Sequence, residues 1–351
     1  MSNHKPGGVE KGTLWRRFMP FLPLVGAVAV CIVILLPFSR QPVQAFMDIC
    51  LYPLASRAGL SATLIRVTPI AACALGTIVA WKSGLYYLGF DGCYLAGALA
   101  TTLMALFCPM PAWAFLPLSL LAAFALAGLW ALPVGWLRAR FGGSEVLTSL
   151  MLNYVAVLIV QYAVTGPIRA GQDLPETRLF PASTWLPRLP GLHAHWGIAV
   201  VAACAVAVAV VLYRLNAGYF MRMTGLNMRA ARHAGMNVGA IMVTVCAVAG
   251  GLAGMGGWAD TLGLQHRLID GVGVGIGFHG IVVAILCAME PLAVLPVAFV
   301  YAGLMVGAQA MQRDFQVPAA IINIFESLLV LAVMAMPILK QRYGAGAKDH
   351  A

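Results

Sequence analysis

Residues 93–137 read CYLAGALATTLMALFCPMPAWAFLPLSLLAAFALAGLWALPVGWL and contain no Asp, Glu, Lys or Arg. An α-helix rises about 1.5 Å per residue, so this stretch is long enough to cross a hydrocarbon core of about 30 Å twice. Between the two halves, the segment Cys108–Ala112 carries two prolines, which cannot continue a helical ladder. The stretch therefore predicts two membrane helices joined by a tight hairpin.

The composition of the whole chain is also typical of a membrane protein. Of 351 residues, 61% are hydrophobic and 10% are charged, whereas soluble domains carry about 25% charged residues. The net charge of +10 fits basic cytoplasmic loops and gives no reason to expect nucleic acid as a partner. The eight cysteines lie mostly in apolar stretches and form no CxxC or Cys/His cluster, so neither a disulfide framework nor a metal site is expected.

Apolar segments predict an all-α membrane protein with about ten transmembrane helices. The predicted spans are 19–38, 61–81, 92–107, 113–137, 146–166, 196–213, 240–259, 274–289, 292–310 and 317–339. The first span is too long for the apolar core of a signal peptide, and no small-residue cleavage site follows it. A single transmembrane domain, 19–339, is therefore expected between an N-terminal tail, 1–18, and a C-terminal tail, 340–351.

The distribution of Lys and Arg predicts the orientation of the spans. With the N-terminus in the cytoplasm, 14 of the 22 Lys and Arg fall on cytoplasmic segments and seven on external ones, while Arg66 falls inside a span. Cytoplasmic loops are enriched in positive charge, so both termini are expected in the cytoplasm. The proline-rich loop Pro167–His195 is then external and is expected to cap the outer mouth. The loop Leu215–Val238 is then cytoplasmic, and its run Asn227–Gly235 predicts a short helix closed by the glycine.

A short motif occurs twice in the chain. Leu88-Gly-Phe-Asp-Gly-Cys93 recurs as Ile276-Gly-Phe-His-Gly-Ile281, and the two copies lie on spans of opposite predicted direction. This relation is the one expected of a five-plus-five inverted repeat, with halves at about 19–166 and 196–339.

The glycines around both copies predict broken helices near the centre of the domain. Glycine weakens a continuous helix, and unwound backbone survives in a bilayer only beside protein or a water-filled cavity. Such breaks line translocation pathways, so the pairs Phe90/Asp91 and Phe278/His279 are candidates for the substrate pathway. The alternative is that the glycines only allow close helix packing.

Five segments then carry a resemblance to a known family. They are Lys82-Ser-Gly-Leu-Tyr-Tyr-Leu-Gly-Phe-Asp-Gly, Gly143-Ser-Glu-Val-Leu-Thr-Ser-Leu-Met-Leu-Asn-Tyr154, Thr224-Gly-Leu-Asn-Met-Arg-Ala-Ala-Arg-His-Ala-Gly235, Gly250-Gly-Leu-Ala-Gly254 and Gly277-Phe-His-Gly-Ile-Val-Val-Ala284. In this order they resemble permeases of the nucleoside and simple-sugar branch of bacterial ABC importers, which are related to the ribose and branched-chain amino-acid permeases. The resemblance extends from about residue 55 to residue 335.

The resemblance implies a channel-forming transport subunit in the bacterial inner membrane, which is not an enzyme and uses no cofactor. It also implies several partners: a second permease subunit, identical or paralogous, cytoplasmic ABC ATPase subunits, and an external substrate-binding protein. The small-molecule substrate would be a nucleoside, a nucleobase or a simple sugar. The sequence contains no GxxxxGK(S/T) phosphate loop, so ATP is expected to bind to the ATPase partner. The family's ATPase-coupling motif falls on Gly225, Asn227, Ala230, Ala231, Ala234 and Gly235.

Four residues depart from the family pattern. Tyr87 stands where Asn is usual, Asp91 where Glu is usual, Cys93 where Gln is common, and His279 where an acidic residue is frequent. All four lie in the predicted cavity. They agree with a transporter but leave its ligand open.

Two candidate pathway positions have structural alternatives of similar weight. An acid in a membrane is costly unless it is paired or hydrated, so Asp91 either faces the pathway or pairs with a residue such as Lys82. Asn153 and Tyr154 lie on the fifth span. There the Asn153 amide could bind a sugar or a base, or it could form an interhelical hydrogen bond worth about 1 kcal/mol.

Other polar residues favour structural roles. Glu145 lies at the start of the fifth span, where a carboxylate suits the positive end of the helix dipole, so capping is expected. A single histidine among apolar neighbours, such as His279, is more often hydrogen-bonded in the interior than a pH sensor or ligand. Glu326 lies deep in the last span and could pair with Arg66, so the role of both residues is open.

Two classes of function fit these features. One is the permease of an ATP-driven importer; the other is a stand-alone secondary transporter driven by protons or Na⁺, with Asp91, His279 and Glu326 as its ion site. A membrane-embedded enzyme is a distant third, since GxSxG, HExxH and paired carboxylates are absent from the sequence. A docking element for an ATPase on Leu215–Val238 would favour the importer.

Overall fold

A computed structural model describes residues 51–315 apart from 172 and 173, and the isolated positions 324, 327, 328 and 331. The predicted span 19–38 and both predicted tails lie outside the described residues. Of the predicted span 317–339, only the four isolated positions are described. Glu326 therefore also lies outside the described residues.

The described chain is helical. Its α-helices are α1 (Arg57–Lys82), α2 (Phe90–Phe107), α3 (Ala112–Phe141), α4 (Glu145–Thr165), α5 (Gly197–Arg214), α6 (Asn216–Leu226), α7 (Met228–His233), α8 (Val238–Asp260), α9 (Ile276–Leu286) and α10 (Val294–Phe315). Short 3₁₀ turns cover Ala182–Thr184 and Pro291–Ala293, and a π-turn covers Thr261–Gln265. Across the described residues no β-sheet forms, and pairing is limited to three isolated bridges.

Seven segments are long and apolar enough to cross a membrane. They are Arg57–Lys82, Phe90–Phe107, Ala112–Phe141, Glu145–Thr165, Gly197–Arg214, Val238–Gln265 and Pro291–Ala310. Each coincides with one of the predicted spans, and the hairpin after Phe107 ends where α3 begins, as its prolines indicate. The all-helical membrane architecture is therefore confirmed.

The predicted span 274–289 is different. Its helix, α9, covers only Ile276–Leu286 and is too short to cross a membrane. Gly271, Gly273 and Gly275 all have φ near +80°, between +77° and +86°, which ends any helix on the N-terminal side. The helix is therefore shorter than the predicted span.

Contacts divide the chain into two units, Ser56–Ala302 and the pair of flanking segments Met1–Ala55 and Gly303–Ala351. Within the first unit, α8 packs against α3, α1 and α2. Small residues allow this close approach: a Cβ added to Gly97 on α2 would lie 2.2 Å from the backbone oxygen of Gly254 on α8. Close packing is thus the role of this glycine pair.

The segment 167–195 folds over one end of this unit. Its backbone amides at Thr177 and Phe180 donate to the carbonyls of Leu268 and His266. The side chain of Phe180 is buried in a cluster with Trp258 near the end of α8. The segment therefore covers the end of the helices that carries the loop between α8 and α9.

Candidate functional site

The first helix break lies between α1 and α2, at residues 83–89. This segment is largely buried. Its first three amides bond back to carbonyls at the end of α1, and side chains satisfy the backbone nearer α2. The Leu88 amide donates to Ser149 Oγ at 3.1 Å, and the Leu88 carbonyl accepts from Asn153 Nδ2 at 3.2 Å. The Tyr87 carbonyl accepts from Trp81 Nε1 at 3.3 Å. Protein groups thus satisfy the polar backbone, as a low-dielectric interior requires.

Asn153 holds the start of α2 with both ends of its amide. In addition to the bond with Leu88, its Oδ1 accepts from the backbone amide of Gly92 at 2.8 Å. The residue is buried. Of the two roles open from sequence, the structure displays the interhelical hydrogen bond.

The second break lies between α8 and α9. After the π-turn, His266 has φ +54°, and the chain stays non-helical until Ile276. With 11 residues, α9 is about 16 Å long, roughly half the thickness of the hydrocarbon core. α9 is thus a half-helix, and it packs against α1 and α2.

The two Gly-Phe-x-Gly segments meet at the start of this half-helix. Asp91 Oδ1 accepts a hydrogen bond of 2.7 Å from the backbone amide of Gly277, and both residues are buried. A Cβ on Gly277 would lie 2.5 Å from the Asp91 amide nitrogen, so only glycine allows the approach. The sequence-based pairing of Asp91 with Lys82 is wrong. The Lys82 Nζ lies instead 3.2 Å from Glu290 Oε1.

Tyr87 and Phe90 are fully buried beside this contact. Their rings pack edge to face with centroids 5.0 Å apart. The Tyr87 hydroxyl lies 3.2 Å from the Gly89 carbonyl oxygen and 3.0 Å from Cys93 Sγ. In this conformation neither ring offers exposed surface to a ligand.

The other three pathway candidates lie apart from this cluster. Tyr154 and Phe278 are 67% and 47% exposed. His279 Nδ1 lies 2.7 Å from the Tyr301 hydroxyl, which is the interior hydrogen bond expected for a single histidine. The structure therefore brings Tyr87, Phe90, Asp91 and Asn153 together, and leaves Tyr154 and Phe278 at the surface.

Sequence reasoning missed a second buried acid. Asp260, at the end of α8, accepts a hydrogen bond of 2.5 Å from the Tyr94 hydroxyl. Arg66 lies within electrostatic range of both Asp260 and His279. Its position in the sequence could have indicated this residue, because Asp260 directly follows a predicted span and is the sole acid between Glu176 and Asp270.

Glu145 lies in the first turn of α4, where the helix dipole favours a carboxylate, but it is not the hydrogen-bonding cap. The cap of α4 is Ser144, whose Oγ accepts from the Leu147 amide at 3.4 Å. Glu145 instead lies 3.3 Å from the Arg138 Nε at the end of α3. Serine precedes the helix and so has the extended backbone that a cap needs.

The segment 215–238 forms two helices, α6 and α7. Asn227 Oδ1 accepts from the amides of Arg229 and Ala230 at 3.0 and 3.1 Å and so caps α7. Gly235 has φ +80° directly after the C-cap Ala234. The helix predicted within Asn227–Gly235 is confirmed, with glycine in the left-handed position that ends it.

This segment presents most of its coupling-motif residues outward. Gly225, Asn227, Ala230, Ala234 and Gly235 are exposed, whereas Ala231 is buried. Gly225 also approaches the first helix break, because a Cβ there would lie 2.2 Å from the Lys82 carbonyl oxygen. The segment is thus packed directly on the end of α1.

Comparison with known proteins agrees with these features. Residues 59–336 match the family model described as the permease component of the branched-chain amino acid transport system. The chain belongs to this family. The motif-based resemblance to permeases of ABC importers is confirmed, and with the seven apolar segments it identifies a multi-pass membrane protein that is a transport subunit.

Three relatives have similar lengths. The chain is 33% identical to a glucose ABC transporter permease protein of Haloferax volcanii, over 93% of this chain and 89% of the relative. It is 30% identical to a guanosine ABC transporter permease protein of Bacillus subtilis, over 77% and 79%. It is 26% identical to a nucleoside ABC transporter permease protein of Lactococcus lactis, over 92% of both.

Proposed function

We propose that this permease forms the channel through which an ATP-driven importer moves a nucleoside or a simple sugar into the cell. The relatives named for guanosine, nucleosides and glucose support this substrate class. The structural observation that carries the proposal is the contact between Asp91 and Gly277, where two helix breaks meet inside the bundle. Broken helices of this kind mark substrate sites in transporters.

The substrate pathway is proposed to follow these two breaks. Phe278 and His279 border it at the half-helix, while Tyr87, Phe90, Asp91 and Asn153 hold the opposite break in place. Tyr154, which is exposed on α4, stays a candidate for lining it. A permease must release its cargo, so few and weak contacts are expected, with Phe90 reaching the substrate only after the break moves.

The docking site for the ATPase subunits is proposed on α6 and α7. Its exposed residues are Gly225, Asn227, Ala230, Ala234 and Gly235, whereas Ala231 packs on the buried side of α7. Arg229 and Arg232 are exposed on the same short helix and give it a positive charge. The segment 167–195 covers the opposite end and would receive the external binding protein.

The membrane topology is proposed as ten spans related by a five-plus-five inverted repeat, with both termini in the cytoplasm of the bacterial inner membrane. α1, its break and α2 would correspond to α8, its break and α9. A cysteine at Leu174, 62% exposed, should react with an impermeant thiol reagent added outside intact cells. A cysteine at Arg229, on the docking site, should not; the opposite pattern would invert the topology.

Reconstitution tests the transport function. The permease is assembled in proteoliposomes with its ATPase and binding-protein partners and with its second permease subunit, identical or paralogous. Uptake of labelled guanosine and glucose is then measured. Uptake that requires both ATP and the binding protein is expected. Uptake that continues without ATP and stops when ion gradients are dissipated would instead support the secondary transporter.

A further inference from the structure

Lys82, Tyr213 and Glu290 form a polar cluster at the end of the bundle that carries the docking site. The Tyr213 hydroxyl lies 2.8 Å from both carboxylate oxygens of Glu290. The Lys82 ammonium donates to Glu290 Oε1 at 3.2 Å and also to the Tyr213 hydroxyl. One acid is thus held by a hydroxyl and a cation that also contact each other.

This cluster joins segments that are far apart in the sequence. Lys82 is the last residue of α1 and directly precedes the first helix break, and Tyr213 lies in the last turn of α5. Glu290 lies in the turn between α9 and α10. The cluster therefore ties the first break to the C-terminal end of the half-helix.

The docking segment contacts the same cluster. The Arg222 guanidinium, on α6, lies 5.5 Å from the centre of the Tyr213 ring and donates to the Leu212 carbonyl. The Lys82 ammonium lies 4.7 Å from the same ring centre. Cations within about 6 Å of an aromatic ring are attracted to it. A displacement of α6 would thus disturb the ring that holds Glu290.

The turn that presents Glu290 has an unusual backbone. Ala288 and Met289 have φ values of +52° and +61°, so two successive residues with side chains are left-handed. Side chains disfavour this conformation, and it persists where the surroundings impose it, often at sites that switch. Here the restraints are the backbone bonds of Met289 and Glu290 to the carbonyls of Ala284 and Cys287, together with the side-chain contacts of Glu290.

The exposure of the cluster suits a contact that opens and closes. The side chain of Glu290 is 55% exposed and that of Lys82 is 17% exposed. Partial burial raises the pKa of Glu290, but the hydrogen bonds from Tyr213 and Lys82 outweigh it and leave the pKa below its ordinary value. The carboxylate is therefore ionised and can be released to water without being left as a buried charge.

We propose that Lys82, Tyr213 and Glu290 are positioning residues that transmit movement of the ATPase-docked α6 to the two helix breaks. In the structure the closed cluster holds the end of α1 and the strained turn together. Displacement of Arg222 and Tyr213 releases Glu290, and the turn then relaxes and moves the half-helix. This role rests on the proposed function of the chain.

The test compares transport with ATP hydrolysis in the complete reconstituted importer. The variants are Glu290→Gln, Tyr213→Phe and the exchange Lys82→Glu with Glu290→Lys. Tyr162→Phe is the matched control, because Tyr162 is exposed on α4 and lies outside both the cluster and the docking segment. Uptake per ATP hydrolysed is measured for each variant that retains the ATPase during purification.

Glu290→Gln and Tyr213→Phe are expected to lower uptake per ATP roughly fivefold, the size of a modest coupling energy between sites. The exchange variant restores an ion pair that Tyr213 can still bridge, so it should recover most of that loss. Wild-type coupling in both single variants would overturn the inference, as would an exchange variant no better than Glu290→Gln alone. Failure of the wild-type importer to take up either substrate would instead reject the proposed function.

Discussion

The carboxylate of Asp91 accepts a hydrogen bond of 2.7 Å from the backbone amide of Gly277, 186 positions away in the chain. The bond joins the first turn of α2 to the first turn of the half-helix α9. A helix start has unpaired N–H groups and a partial positive charge, and a carboxylate satisfies both. The bond therefore fixes the half-helix against the first break in this conformation.

Replacing Asp91 tests that bond. In Asp91→Ala the buried Gly277 amide loses its acceptor, and we expect a loss of about 1–3 kcal/mol in stability. The measurement is thermal unfolding of the purified protein in detergent. Asp91→Asn keeps an oxygen that can accept the bond and should retain most of the stability. Equal unfolding temperatures for Asp91→Ala and wild type would argue against a positioning role.

Asn153 offers a second test at the first break. Its removal in Asn153→Ala leaves the Gly92 amide and the Leu88 carbonyl without their partner, so a loss of about 1–3 kcal/mol is expected for unpaired buried groups. Thermal unfolding again measures it. The neighbouring substitution Tyr154→Leu is the control, because that side chain is exposed. If Asn153→Ala unfolds like wild type but raises the substrate concentration for half-maximal uptake, Asn153 acts on the ligand instead.

Both breaks could be predicted in outline from the sequence, and their surroundings could not. Glycine is the residue that tolerates positive φ, so Gly84 and Gly271–Gly275 mark the breaks directly. The groups that satisfy the unwound backbone come from far along the chain: Ser149 and Asn153 reach Leu88 across more than 60 positions. Such pairs depend on helix packing, which no local pattern specifies.

The burial of the individual candidate residues could not be predicted from the sequence either. Phe90 and Phe278 occupy equivalent places in the repeated motif, yet Phe90 is fully buried and Phe278 is 47% exposed. Phe90 starts a helix at the centre of the bundle, whereas the half-helix has a free face. Periodicity separates the faces of a helix only when one face is polar, and here both are apolar.

Gly225 tests the contact between the docking segment and the end of α1. In Gly225→Ala the new Cβ would lie 2.2 Å from the Lys82 carbonyl oxygen, and overpacking of this kind costs about 1–3 kcal/mol. We expect a lower unfolding temperature and reduced uptake. Gly239→Ala is the control, because its nearest neighbours would lie 3.6 Å away. Equal behaviour of the two variants would contradict the close contact.

The shifted pKa of His195 predicts that the stability of the folded segment 167–195 depends on pH. Burial, with a smaller effect of nearby His266, lowers the pKa of His195 from 6.5 to about 4. The unfolded segment therefore binds protons more readily than the folded one. Its stabilising contribution is fully present above pH 6.5 and is lost as the pH falls toward about 4.

Limited proteolysis of this segment at a series of pH values measures the effect. Cleavage should rise between about pH 6.5 and pH 5. His195→Gln removes the titrating group and keeps an acceptor for the Gly197 amide, which bonds His195 Nδ1 at 3.2 Å. Its cleavage should depend less on pH. The neighbouring charged or titratable groups, His266 and Arg188, are kept in this variant. If His195→Gln shows the same pH dependence of cleavage as wild type, His195 is not the origin of that dependence.

The last prediction concerns docking of the ATPase on α7. Ala230 is exposed and Ala231 is buried in the same short helix, so large side chains at the two positions should have different effects. Ala230→Trp should insert and fold normally but bind the ATPase at least about tenfold more weakly, because a bulky ring at the centre of an interface prevents close packing. Ala231→Trp should reduce the amount of folded permease itself, since it overfills the packing under α7.

Co-purification of the ATPase, normalised to permease, separates these outcomes. Ala182→Trp, exposed on the segment that covers the opposite end, is the matched control and should bind the ATPase like wild type. Undiminished binding by Ala230→Trp would place the docking site elsewhere.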